Sequence, residues 1–374
     1  MMKRQFKGLL VVCFMNLLVF AVYHYQHLKN HNFVSHKTRG DEQACFNRFG
    51  KERSISEGDL RRETEQSCVF PVHSQSLLPC QQNNLRETRR IINESLPWLD
   101  LERTLNAPAT LSPGGYHQPA GCAFPQRLAI IIPYRDREVN LKILLNNLHR
   151  VLQKQQAEYA IFVVEQENGT PFNRGMIKNI GYLEAKALCH FDCFTFHDVD
   201  LVPESERNTY FCGEKALHHS QKLAFKNYRL LAWSALSITH IYNSRTLYGN
   251  HFGGVVTFNK TYFSTINGYS NLFFMWGGED DDLFNRLSKK KMPYEHSKYP
   301  RYTTLTHKKD PHHTSQEMAL YRTSRERFDK DGLNSMERLY RLISVEKRPL
   351  YTRIYVSVNQ TEVLTRVKHF GIEL

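Results

Sequence analysis

The chain has no run of basic residues longer than Lys289-Lys290-Lys291, no internal repeat and no low-complexity tract. The first absence argues against a nucleic-acid footprint, and the others exclude repeat architectures. The 374 residues still carry 50 Lys+Arg against 37 Asp+Glu, a formal charge of +13. That balance suits a compact anionic partner, such as a nucleotide diphosphate or a membrane surface; plain solubility explains it equally. Long apolar runs are scarce too. The main one covers residues 8–25, after Lys3, Arg4 and Lys7. At about 1.5 Å of rise per residue, a helix of that length just spans a bilayer core of about 27 Å. It has no small-x-small cleavage site, because it ends in Val22-Tyr23-His24-Tyr25. We therefore expect a retained signal-anchor, with a cytoplasmic tail at 1–7, a transmembrane helix at 8–25 and everything later in the lumen of thin early-secretory membranes.

A lumenal chain meets oxidising conditions. Of eight cysteines, Cys13 falls in the span and the others can pair, with connectivity left open. Asn93, Asn168, Asn259 and Asn359 each head an Asn-x-Ser/Thr triplet and are candidate glycan acceptors. Residues 26–79 are polar, mixed in charge and without apolar periodicity, as a stem would be. Residues 80–374 are left as the lumenal folded domain.

Within that domain the pattern alternates. Residues 128–133 (Leu-Ala-Ile-Ile-Ile-Pro) and 159–165 read as strands buried on both faces, and 193–196 as a third. Leu141, Leu144, Leu145, Leu148 and Leu152 recur at helical spacing between the first two, and 173–188 reads as a second helix. Strand–helix alternation predicts an α/β fold with a mostly parallel central sheet and ligands at the carboxyl ends of its strands.

Four groups there can carry chemistry. Asp198-Val199-Asp200 follows a buried strand and can hold a hard divalent ion, although a turn of the Asx type would look the same. Trp276-Gly277-Gly278 leads into Glu279, Asp280, Asp281 and Asp282 ahead of an amphipathic helix. The carboxylates could simply complement the helix dipole; the glycines and the indole suggest a sugar site in which an Asp acts as general base. Arg135 and Arg137, with Arg174 further on, suit phosphate oxygens, and singly would be surface ion pairs. His307, His312 and His313 lie in a polar stretch where one could complete a metal site.

Together these segments resemble the beta-1,4-galactosyltransferase family of animal Golgi enzymes. The matching pieces are LAIIIPYRDRE (128–138), PFNRGMIKNIGYLEA (171–185), CFTFHDVDLVPE (193–204), HFGGVVTFNK (251–260), NGYSNLFFMWGGEDDDLFNRL (267–287), RFDKDGLNSM (327–336) and PLYTRIYVSV (349–358). The resemblance implies a GT-A-like nucleotide-sugar-binding fold and an inverting single displacement. It also implies manganese or another divalent ion, a UDP-sugar donor and a glycan acceptor ending in N-acetylglucosamine, on a single-pass type II Golgi membrane protein. By position, Pro133, Arg135, Arg137, Phe172, Arg174, Asp198, Val199, His251, Gly254 and Trp276 fall on donor contacts. Asp200, His307 and Thr304 fall on the metal ligands. Tyr248, Trp276, Glu279 and Asp280 fall on the acceptor site, with Asp280 as the base. The family's disulfides would be Cys80–Cys122 and Cys193–Cys212. Cys45, Cys68 and Cys189 are then left over, an odd remainder that points to a free thiol or to an intermolecular stem bridge and a homodimer.

The chain departs from the family in three places. Thr304 stands where the family has a metal-binding Met, and a hydroxyl is the poorer ligand in that position. His251 stands at the position that tunes galactose against N-acetylgalactosamine, so UDP-N-acetylgalactosamine is the alternative donor. Glu317, Met318 and Tyr321 replace the residues of the N-acetyl pocket. The segment 305–325 is expected to close over the donor and exclude water. A sugar-binding relative without transferase activity is the rival reading, favoured by Thr304 and opposed by Asp200, His307, Glu279 and Asp280.

Overall fold

The computed structural model describes residues 78–81, 84–106, 110–223, 252–275, 277–307 and 314–372. The apolar run 8–25, nearly all of the stem, Tyr248, His251 and Trp276 lie outside them. Among the described residues no helix is long and apolar enough to cross a membrane.

The elements follow the alternation. In chain order they are α1 (Trp98–Leu105), β1 (Leu111–Ser112), β2 (Tyr116–His117), β3 (Arg127–Tyr134), α2 (Glu138–Lys154), β4 (Glu158–Gln166), α3 (Arg174–Leu188), β5 (Cys193–His197) and β6 (Leu201–Pro203). Next come β7 (Ala216–His218), β8 (Lys222–Leu223), β9 (Val255–Asn259), α4 (Lys260–Thr265), α5 (Glu279–Lys289), β10 (Tyr294–His296) and β11 (Arg301–Thr304). The chain closes with α6 (Thr314–Arg322), α7 (Ser324–Arg327), a 3₁₀ turn (Leu333–Ser335), β12 (Tyr340–Lys347), β13 (Thr352–Val358) and α8 (Gln360–His369).

The apolar strands are continuous because both faces are covered. In β3, Leu128, Ile130 and Ile132 pack with Leu141, Leu144, Leu145 and Leu148 of α2, while Ala129 and Ile131 pack with Met176, Ile177 and Ile180 of α3. The period-two alternation of a strand thus feeds two helical layers. Each fully buried aliphatic side chain contributes about 1.5–3 kcal/mol.

The sheet is mixed, which corrects the expectation of a mostly parallel one. Its order is β1-β2-β4-β3-β5-β9-β7-β10, with β13 pairing with β4 further along the same edge as β2, and β12 beyond it. The centre, β13-β4-β3-β5, is parallel. Beyond it β9 runs antiparallel to β5 and to β7, and β12 antiparallel to β13. Strands joined by helical crossovers are parallel; those that arrive by other connections need not be. A second sheet, β6-β11-β8, starts where the chain leaves β5. The turn carrying Asp198, Val199 and Asp200 is the junction of the two sheets.

Both expected disulfides are present, Cys80–Cys122 and Cys193–Cys212. Cys189, expected among the leftover thiols, is itself disulfide-bonded. Its partner lies outside the described residues, as do Cys13, Cys45 and Cys68, because the other four described cysteines pair with one another. Asn93 and Asn168 are exposed. Asn359 is exposed as well, and it and the half-buried Asn259 cap α8 and α4, accepting from the backbone N–H of Glu362 and of Tyr262.

Candidate functional site

The connections leaving β3, β4 and β5 bring charge to the carboxyl ends of the parallel strands. At the end of β3, Arg135 and Arg137 flank Asp136, whose φ is +51°. The Arg135 guanidinium donates to the Thr170 carbonyl at 2.6 Å and lies 5.1 Å from the Phe172 ring centroid. Phe172 in turn accepts from the Met275 N–H at 2.7 Å, which ties the β4–α3 loop to the segment leading into α5. Pro133 is buried within β3, opposite Val164. That loop is held by amides: Gln166 accepts from the Asn173 N–H at 2.8 Å, and Asn173 caps α3 by accepting from Met176 at 3.0 Å. Arg174 is thereby fixed as the first residue of α3.

Arg174 is the hub. Its guanidinium donates to Glu279 Oε1, to Asp198 Oδ2 at 2.9 Å and to Asp280 Oδ2 at 3.2 Å. Burial works against its charge, and Asp198, Glu279 and Asp280 outweigh that, so its proton is held more tightly than usual. Glu279 also holds its proton more tightly, but here burial is the cause: it raises the carboxyl to about 7, Arg174 opposes that rise, and Asp280 adds to it.

α5 itself begins at Gly278, where φ is +90° and a Cβ would stand 2.6 Å from the Phe273 ring. Glycine is needed there for the backbone, and the first-turn carboxylates then sit at the positive end of the helix dipole. The run is divided by helical geometry. Glu279 and Asp280 face Arg174, Asp281 is exposed, and Asp282 turns inward to Arg286 at 2.5 Å and Arg327 at 2.7 Å.

The Asp198–Asp200 turn rests on Gly254. Asp198 N–H donates to the Gly254 carbonyl at 3.0 Å, φ of Gly254 is +83°, and a Cβ would meet Ser220 Oγ at 2.4 Å. Val199 is half-buried against the α2 side of the core. Asp200 lies beside His307, Oδ2 to Nε2 at 3.1 Å, and its carbonyl accepts from Leu305 N–H at 2.7 Å. The pairing of β6 with β11 sets Thr304 opposite Leu201, and Thr304 Oγ1 is buried with no hydrogen bond among the described residues. A carboxylate and an imidazole in contact, with an unsatisfied hydroxyl on the strand paired with the one that follows Asp200, fit a divalent ion of manganese type, with further ligands left to substrate oxygens and water. Among the described residues no group of three or more His, Cys, Asp or Glu forms a fuller cage.

In the pocket segment, Glu317 is buried, while Met318 and Tyr321 are 41% and 38% exposed on α6. The stretch read as a closing loop therefore contains α6 and the start of α7; 308–313 lie outside the described residues. Sequence reasoning overlooked Lys178, one turn beyond Arg174, whose Nζ lies 3.4 Å from Asp198 and 3.6 Å from Asp280. The signal was available: a cation at i+4 from Arg174 in the otherwise uncharged stretch 175–180 of α3. It also overlooked Arg286, Arg327 and Asp331, which enclose Asp282.

The chain was compared with known proteins. A family model described as the N-terminal region of glycosyl transferase group 7 matches residues 78–213, and one described as the N-terminal domain of galactosyltransferase matches 237–308. Beta-1,4-galactosyltransferase 4 of Cricetulus griseus is 39% identical over 282 residues, covering 74% of this chain and 76% of that protein. Beta-1,4-galactosyltransferase 2 of Mus musculus is 30% identical over 371 residues, 96% of each. Among solved structures, the catalytic domain of Drosophila beta-1,4-galactosyltransferase 7 with xylobiose aligns with TM-score 0.51 at 22% identity, covering 62% of this chain and 94% of that one. A mutant of that enzyme, in complex with manganese, UDP-Gal and xylobiose, aligns with TM-score 0.50 at 23% identity. These two likenesses establish the fold.

Proposed function

Since this chain belongs to the beta-1,4-galactosyltransferase family and is a glycosyltransferase, we propose that it transfers galactose from UDP-galactose, with inversion and in beta-1,4 linkage, to a terminal N-acetylglucosamine of glycoprotein or glycolipid glycans. The observation that carries the reading is the convergence of Asp198, Glu279 and Asp280 on Arg174, beside the Asp200–His307 pair. Arg135, Arg137 and Phe172 bind the UDP end, with Pro133, Val199 and Gly254 shaping that side of the site. Asp198 and Arg174 orient the donor sugar. Asp200 and His307 would hold a divalent ion, with Thr304 adjacent, and the bound ion supplies charge against the departing diphosphate. Glu279 accepts a hydrogen bond from the acceptor sugar. Asp280 takes the proton from the acceptor hydroxyl as that oxygen attacks the anomeric carbon opposite UDP; the new C–O bond forms, and the bond to phosphate breaks with its electron pair leaving on UDP. Trp276, Tyr248 and His251 complete the acceptor and donor sides in this reading. The Drosophila relative crystallised with manganese, UDP-Gal and xylobiose supports the donor class.

We place the protein in the Golgi membrane as a single-pass type II chain, anchored by residues 8–25 and held off the bilayer by the stem. The test is UDP release by the purified lumenal domain with manganese, comparing UDP-galactose with UDP-N-acetylgalactosamine over a panel of acceptors. Transfer of galactose to N-acetylglucosamine-terminated glycans supports the proposal. Preferential use of UDP-N-acetylgalactosamine moves it to the alternative donor, and binding without turnover under every condition supports the non-catalytic relative.

A further inference from the structure

Lys178 is a buried cation with no place in the reaction as described so far. It is 1% exposed, on a stretch of α3 where Gly175 to Tyr182 are all buried. Burying an ammonium is costly unless it is paired. Here it is paired twice: Nζ lies 3.4 Å from Asp198 Oδ1 and 3.6 Å from Asp280 Oδ1, and 4.9 Å from the centroid of the Tyr269 ring. Arg174 holds the other oxygen of each carboxylate, at 2.9 Å and 3.2 Å. The two carboxylates, one on the donor side and one on the acceptor side, are therefore each gripped on both oxygens by a pair of cations four residues apart on one rigid helix. Asp198 Oδ1 accepts no hydrogen bond among the described residues, so the ammonium is what compensates it.

We propose that Lys178 is a positioning residue that fixes Asp280 relative to Asp198, setting the angle at which the base meets the acceptor hydroxyl. The proposal rests on the reading of Asp280 as that base. Arg174 and Lys178 are cations that face this carboxylate group, Arg174 on Asp198, Glu279 and Asp280 and Lys178 on Asp198 and Asp280. Without Lys178 the carboxylates lose one of the cations that hold them, and their mutual repulsion is eased by Asp280 shifting away. A displacement of about 1 Å in reacting geometry costs about a hundredfold in rate.

The experiment compares Lys178→Met, Lys178→Arg and Asp280→Asn in the lumenal domain, with turnover normalised to UDP-binding sites so that misfolded protein is not counted. Lys178→Met keeps the buried volume and loses the charge. The expected result is a fall in kcat of at least tenfold, KM for both substrates within threefold, and partial recovery of kcat in Lys178→Arg. Unchanged kcat per site in Lys178→Met, or equal kcat in the Met and Arg variants, overturns the proposal. If Asp280→Asn keeps near-normal turnover, the base assignment fails instead, whatever Lys178 does.

Discussion

Glu279 and Asp280 open α5 in one buried cluster of charge, and Asp282, two residues on, belongs to another. In the first, three carboxylates face Arg174 and Lys178 at the edge of the site, with Asp280 held at 3.2 and 3.6 Å. In the second, Asp282 and Asp331 face Arg286 and Arg327, all four at most 2% exposed. Arg327 reaches both carboxylates, Arg286 lies 2.5 Å from Asp282, and Ser270 donates to Asp331 at 2.6 Å. The second cluster is balanced in charge and closed, and it fastens α5 to α7 and to the turn before β12. The first is less fully enclosed, with the Arg174 side chain 20% and the Asp198 side chain 11% exposed. Adjacent residues of one acidic run thus serve opposite ends, because a helix turns about 100° per residue and points them in different directions.

The two clusters should differ most in their response to substitution at Asp282. Its removal leaves two buried guanidiniums facing one carboxylate, and a broken buried pair costs about 3–5 kcal/mol. Asp282→Ala should lower Tm steeply and cut the yield of folded protein; a Tm within a few degrees of the parent would place Asp282 in the site instead. A second test charges the scaffold rather than the site. His149 and His219 are buried as neutral rings, with burial lowering them to about 4 and about 3. His149 bonds to Tyr159 and the Leu350 carbonyl, and His219 to Asn208 and Thr257. Because the unfolded chain takes up these protons near pH 6.5, their stabilisation is complete above that pH and is lost as pH falls toward 4. By pH 5 each histidine contributes a loss of about 2 kcal/mol. Thermal melts from pH 7 to 5 should show Tm falling, with a shallower slope in His149→Gln; a flat profile would contradict the neutral assignment. The smallest effect belongs to the metal corner. Thr304→Met should tighten manganese activation several-fold with little change in Tm, measured as the metal concentration giving half-maximal rate; unchanged activation would remove Thr304 from the ligand set.

Much of this arrangement was legible in the chain. The continuous apolar strands, the leucine spacing of α2 and the carboxylates placed after strand ends are local signals, and the structure puts them where periodicity requires. Asp200 and His307, 107 residues apart, were joined only by the family resemblance. The antiparallel strands flanking the sheet left no mark in the pattern, because a buried strand reads the same in either direction. Nor did the division of the acidic run, which depends on Arg327 and Asp331 arriving from the far side of α6. The Cys189 disulfide was missed for a related reason: counting cysteines gives parity but not proximity.

The central claim is that Asp280 is the base of a galactosyl transfer while Arg174 and its neighbours hold the donor. The most direct measurement is the galactosyltransferase turnover of Asp280→Asn, with UDP affinity and Tm determined on the same preparation. If Asp280 is the base, kcat falls by at least about a thousandfold, consistent with removing general-base assistance, at unchanged UDP affinity and Tm. Near-normal turnover with intact UDP binding would contradict it.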